Sequence, residues 1–204
     1  MSRMFLDPRR PLTTCLAENC EGCPVSKDIH CHFQFRDLIA FLFAVVPCFV
    51  VGAVGVYRVG VGWLALWALA VLTYFGFVEI RVMCSHCPHY AEPGKNLQCW
   101  ANYGSPRLWK YRPGPMTAME RAVFESGLFF VMAYPLVFLL AESQWLLLVL
   151  YVLTLGSFFV TLQRSFCSQC MNFACSFNSV DEKTRAEFFR RNPTIARAWA
   201  KSID

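Results

Sequence analysis

Four long apolar runs dominate the chain: Leu38 to Tyr57, Val61 to Val78, Ala122 to Ala141 and Trp145 to Leu162. Each is about as long as the roughly 17–25 residues that cross a bilayer as a helix. Glu125 is the only charge inside them, and it sits near an end. The runs come in pairs joined by tight polar turns, Arg58-Val59-Gly60 and Glu142-Ser143-Gln144. This pattern predicts an all-α membrane protein with four transmembrane helices in two hairpins. A soluble helical bundle is the other solution for four apolar helices, but too little chain remains to cover them.

The hydropathy pattern divides the rest of the chain. Residues 1–37 are polar and cysteine-rich, with no apolar stretch of the kind that begins a cleavable signal, so the first span is expected to insert as an uncleaved anchor. Residues 38–91 form the first hairpin and end in a CxxC pair, and 92–121 form a loop that mixes aromatic and basic residues. Residues 122–178 form the second hairpin, again ending in CxxC, and 179–204 are polar. In that last segment Val180 to Arg191 reads as a helix with Asp181 and Glu182 in its first turn. Asn192-Pro193 interrupts it, and Thr194 to Lys201 is a second short helix.

The two hairpins end in one segment written twice. Arg81-Val-Met-Cys84-Ser85-His-Cys87-Pro-His89-Tyr90-Ala91 returns as Arg164-Ser-Phe-Cys167-Ser168-Gln-Cys170-Met-Asn172-Phe173-Ala174. The likeness continues upstream, where Pro47 and Pro135 interrupt the first helix of each hairpin and Trp63-Leu64 and Trp145-Leu146 open the second. Two units entering the membrane in the same direction are expected to be related by a pseudo-twofold along the membrane normal. Carbonyls freed by the two prolines must find donors on neighbouring helices.

Charge orients this frame. Of nineteen Lys and Arg, only Arg58 lies on the side of the short turns. Arg3, Arg9, Arg10, Lys27 and Arg36 precede the first span, and the others fall in the central loop or after the fourth span. The positive-inside rule therefore predicts a multi-pass protein with both termini cytoplasmic, in the inner membrane if the chain is bacterial. The net charge of +5 belongs to that face and points to anionic lipid rather than nucleic acid. Trp100, Tyr103, Trp109 and Tyr111 among Arg107, Lys110 and Arg112 suit the headgroup layer.

Ten of eleven cysteines lie on the predicted cytoplasmic face. A reducing compartment makes metal ligation, rather than a disulfide framework, the reading of such crowding. Crowded thiolates repel, and a cation removes that cost. Zinc takes four ligands in a tetrahedron, often two from each of two CxxC knuckles. Cys84, Cys87, Cys167 and Cys170 are therefore expected to form one Cys₄ site that clasps the two hairpins. A second site is local to the N-terminus: Cys15, Cys20, Cys23 and Cys31, with His30 and His32 as substitutes. Its C-x4-C-x2-C opening also matches the start of a plant-type [2Fe–2S] ligand run, although the fourth cysteine comes far too soon for that fold. Cys99 and Cys175 share a C-x-x-N spacing. They either join His86 or His89 in a further site, complete a three-plus-three arrangement around a larger cluster, or fill space as small apolar groups. Cys48, alone in the first span, reads as packing or as a stop for a soft metal.

Three functions fit. The first is a non-catalytic scaffold or subunit of a membrane assembly, held by structural zinc and in contact with the bilayer and with membrane or cytoplasmic protein subunits. The second is an iron–sulfur protein passing electrons to a quinone or a partner. The third is a soft-metal transporter or sensor, which the scarcity of polar residues in the spans disfavours. The chain carries no nucleophile–base pair, carboxylate pair or phosphate loop, so the sequence leans away from an enzyme.

Overall fold

The structure is a computed structural model and describes residues 9–201, so Arg3 and the outermost ends of the first and last segments lie outside the described residues. Four helices are long and apolar enough to span a membrane: Phe35–Val59, Val61–His86, Ala118–Ala141 and Trp145–Gln169. The first is α1, Phe35–Val59, and a break at Gly60 turns it into α2, Val61–Thr73. A π-helical stretch, Tyr74–Val78, then carries the rod into α3, Glu79–Val82. Helix α4 is Ala118–Ala141, and α5, Trp145–Thr161, also runs on through a π-helical stretch, Leu162–Phe166. The turn between α4 and α5 is closed by Ser143 at φ +50°.

Two boundaries differ from the hydropathy pattern for physical reasons. Helix α4 begins a turn earlier than its apolar run because Thr117 and Glu120 form a reciprocal capping box. The second rod passes Val78 without a break, which places Glu79 inside it, 8% exposed. Large apolar side chains such as Phe43, Leu72, Phe129 and Leu153 remain exposed along all four spans. Little of each span is buried within the chain, and these faces suit contact with lipid.

Helix α1 packs against α5, α4 and α2. Close approach depends on small residues: a Cβ at Gly55 would stand 2.4 Å from Leu139, and one at Gly127 would stand 2.3 Å from the Tyr74 ring. Pro135 deprives the Val131 carbonyl of its helical partner, and the Trp67 indole donates to that oxygen at 2.9 Å. Tyr151 donates its hydroxyl to the next carbonyl, Met132, at 2.8 Å. Trp67→Phe, which keeps the ring and removes the donor, is expected to lower stability in detergent or bilayer by about 1 kcal/mol. A folding titration checks it, and an unchanged midpoint would mean that the freed carbonyl is met by other means.

The segments outside the spans build their own core. Helix α6 (Glu182–Arg191) starts at Asp181, whose carboxylate accepts from Thr184 N–H, and α7 (Pro193–Ala200) follows with proline in its first turn. Phe188 and Ile195 from these helices pack with Leu12, Val25 and Ile29 of the N-terminal segment and with Cys87, Met171 and Phe173 of the cysteine segments. Hydrogen bonds fasten the parts: Leu16 N–H to the Arg191 carbonyl and His30 N–H to the Gln169 carbonyl, both at 2.9 Å. The Glu92 carboxylate accepts from both the amide and the hydroxyl of Thr13.

Candidate metal centre

The twice-written segment adopts one local conformation twice. Met83 (φ −119°, ψ −55°) and Phe166 (φ −114°, ψ −49°) lead into 3₁₀ turns, Cys84–His86 and Cys167–Gln169. Both turns end on an extended cysteine, Cys87 (φ −73°, ψ 138°) and Cys170 (φ −86°, ψ 127°). The shared serine explains part of this: Ser85 donates its hydroxyl to the Arg81 carbonyl at 2.7 Å, and Ser168 donates to Arg164 at 2.9 Å. Each bond takes up a carbonyl that the end of the helix would otherwise leave unpartnered.

These turns deliver their sulfurs to a common space. A cavity of about 140 Å³ lies where the two segments meet, and Cys84, Cys87, Cys99, Cys167, Cys170 and Cys175 all line it. Apolar walls from the spans, Phe41, Phe158 and Leu128 among them, close its membrane side. A single water needs roughly 10–15 Å³ on such a measure, so the space exceeds one small ligand about tenfold. Among the described residues, no group of three or more His, Cys, Asp or Glu is drawn tightly enough together to hold one metal ion. The sulfurs border a volume rather than a point. All eleven cysteines are free thiols.

Electrostatics makes the crowding costly. Burial pushes the thiols of Cys87 and Cys170 well above the ordinary range, and neighbouring cysteines add to it, Cys99 at Cys87 and both Cys87 and Cys99 at Cys170. Burial likewise raises Cys99, and pushes Cys175 up to about 12. Opposing this, backbone amides sit at the sulfurs in matching positions: His89 at Cys87 and Asn172 at Cys170, each two residues on. The amides of Ala101 and Asn102 serve Cys99, and those of Phe177 and Asn178 serve Cys175. Amide donors favour the thiolate, the form that binds metal. The C-x-x-N spacing thus has a use: Asn102 also donates its side-chain amide toward Cys84 Sγ at 3.4 Å, and Asn178 donates to the Cys170 carbonyl at 2.6 Å.

The N-terminal cysteines are half-exposed and follow tight turns, with Cys23 N–H bonded to the Cys20 carbonyl at 3.2 Å and Cys15 N–H to Leu12 at 2.9 Å. Burial and then the charges of Cys23, Cys20 and Cys15 push Cys31 up to about 12, so the four are electrostatic neighbours. His30 lines the cysteine cavity and pairs with Asp37 at 3.2 Å, and His32 meets the Arg10 carbonyl at 2.7 Å. His89 also lines the cavity, beside the backbone of Cys31, and burial drops its imidazole to about 3. His86 is placed elsewhere: Nδ1 meets the Gly114 carbonyl at 2.9 Å, and Nε2 lies 3.4 Å from Glu120, a carboxylate shared with Arg81 and Arg112. Cys48 lies in α1 with Sγ 3.0 Å from the Val45 carbonyl, packed with Leu139 and Tyr151.

Glu79 is the site residue that the hydropathy pattern passed over. It borders the cavity, and its Oε2 is buried with no hydrogen-bond partner. The signal that could have found it is an acid one helical turn before Met83 and Cys84 in a rod with no breaker between. Comparison of the chain with protein-family models, with curated proteins and with solved structures returns no match.

Proposed function

We propose that this chain is a multi-pass membrane metalloprotein whose six repeat-region cysteines hold a polynuclear thiolate-ligated cluster of the iron–sulfur class, used to move electrons at the membrane surface. The observation that carries it is the shared cavity: six cysteines, three from each half, border one space far larger than a single ion needs. Four thiolates around a mononuclear zinc leave no void between them. Aromatic and aliphatic walls with amide donors at the sulfurs are the surroundings that set a cluster's potential.

The two hairpins are then halves of one device, related by a pseudo-twofold that passes between the CxxC turns. Their matched dihedrals and matched serine hydrogen bonds support that relation. The cysteine layer faces the cytoplasm, as the placement of Lys and Arg argues. Structural zinc is the second reading, favoured at the N-terminal loop, where Cys15, Cys20, Cys23 and Cys31 lie close enough in sequence to fold around one ion.

Anaerobic purification followed by a visible spectrum and by iron, sulfide and zinc analysis tests both. The expected result is a brown protein with iron and acid-labile sulfide, and with zinc at no more than about one ion per chain. A colourless protein with about two zinc ions per chain would sink electron transfer and leave the scaffold reading.

A further inference from the structure

We propose that the groove between α1 and α2 seats a lipid-soluble ligand of the quinone class, its ring oxygen hydrogen-bonded to Glu79 beside the cysteine cavity. Its purpose rests on the electron-transfer reading above; its binding does not.

The groove holds about 610 Å³, within the roughly 300–1,000 Å³ of small-molecule sites. Val46, Val50 and Leu72 on its walls are exposed along the spans, so the approach is from the bilayer. Deeper in, Phe49 and Trp67 stack at 5.6 Å with their planes 18° apart, a flat apolar wall for a flat ring. The inner end is polar: Glu79 and Asn102 border both this groove and the cysteine cavity, as do Phe41, Val45 and Phe75. These shared residues are the partition between the groove and the sulfur cavity, so a head group at that end stands against side chains that also line the cysteine cavity.

Glu79 selects the occupant. A buried carboxyl in a transmembrane rod is costly, and such residues are kept for a task. The fold does not require this one, since Leu162 stands at the equivalent place in the second hairpin. A lipid tail fills an apolar groove but offers nothing to Oε2, which lacks a partner within the chain. A quinone satisfies both ends: a long apolar tail for the wall, and an oxygen that accepts from the acid or, in the quinol, donates to the carboxylate.

The test uses the full chain in nanodiscs of quinone-free phospholipid, with a short-chain azidoquinone as photolabel and decylquinone as competitor. Saturable labelling of α1 or α2 peptides, suppressed by decylquinone, is expected. Glu79→Leu, and separately Ala68→Trp placed in the groove wall, should each reduce labelling at least about tenfold. Glu79→Leu should also raise the melting temperature, because it removes a buried carboxyl that Asn102 meets on one side while Oε2 stays unsatisfied. Labelling that never saturates, or that survives Ala68→Trp unchanged, would mean that lipid alone fills the groove and would overturn the proposal. Iron and sulfide measured on the same preparation separate the two ideas. Saturable labelling without a cluster keeps the groove and sinks electron transfer, whereas a cluster without labelling does the reverse.

Discussion

Serine at Cys87 and serine at Cys170 are expected to empty the same centre to the same extent. The two residues end the equivalent 3₁₀ turns and line one cavity, and Cys87 is among the charges that raise the Cys170 thiol. Serine keeps the size of cysteine, but its hydroxyl does not ionise to a soft ligand near neutral pH, so one corner of the site is lost. Losing only an outer partner of a metal ligand costs about 10–100-fold in affinity, and a direct ligand should cost more. Because the two act on one object, the double variant should bind no less than either single variant, a strongly non-additive result. Cys48→Ser, remote in α1 against Leu139 and Tyr151, is the control and should leave the content unchanged. The readout is metal per folded chain. Full metal in one single variant and none in the other would rule out a shared centre.

The parts of this architecture that were legible in the sequence are those set by local or near-local physics. Four spans follow from run length alone, because a bilayer imposes a minimum length. The capping pair Thr117 and Glu120 was in plain view yet masked by charge, since hydropathy counts Glu120 and Arg121 against a helix that the cap in fact starts. The identity of the two CxxC turns could be read because the Ser85 and Ser168 bonds span only four residues. What could not be read depends on long-range closure. The C-x-x-N spacing allows Cys99 and Cys175 a three-plus-three arrangement as one of three alternatives. They line the cavity only because the central loop and the segment before α6 bring them to it, which spacing alone does not decide. His86 resembled a ligand by its place between two cysteines, but a 3₁₀ turn aims it at Gly114 and Glu120 while Cys84 and Cys87 face the cavity. Glu79 was hidden by a boundary drawn where the apolar run ends, although the helix continues because backbone hydrogen bonding is indifferent to one acid.

Metal loading should abolish an alkaline instability that the metal-free protein carries. Without metal, burial holds the thiols of Cys31 and Cys175 up at about 12, with Cys87 and Cys170 well above the ordinary value. In the unfolded chain the same thiols titrate at about 8.5. Below that pH both states hold the proton and the thiols leave stability unaffected by pH. From about 9 upward the unfolded state releases protons that the fold retains, so stability falls as pH rises toward 12, on the order of a few kcal/mol per thiol. His89 sets the opposite limb: its imidazole stays neutral in the fold down to about 3, so the fold loses stability as pH drops below the ordinary histidine value of about 6.5. The metal-free protein is therefore expected to be most stable between about 6.5 and 8.5. Once a cation holds the sulfurs as thiolates, the fold no longer retains protons that the unfolded chain releases, and the alkaline limb disappears. Acid then becomes the main threat, because protons compete with metal for every sulfur and the acid limb steepens. Melting temperatures of chelator-stripped and loaded protein, compared from pH 5 to pH 11, distinguish the two states. Superimposable alkaline limbs would mean that the cysteines are buried only as small apolar groups, and that no cation converts them to thiolates.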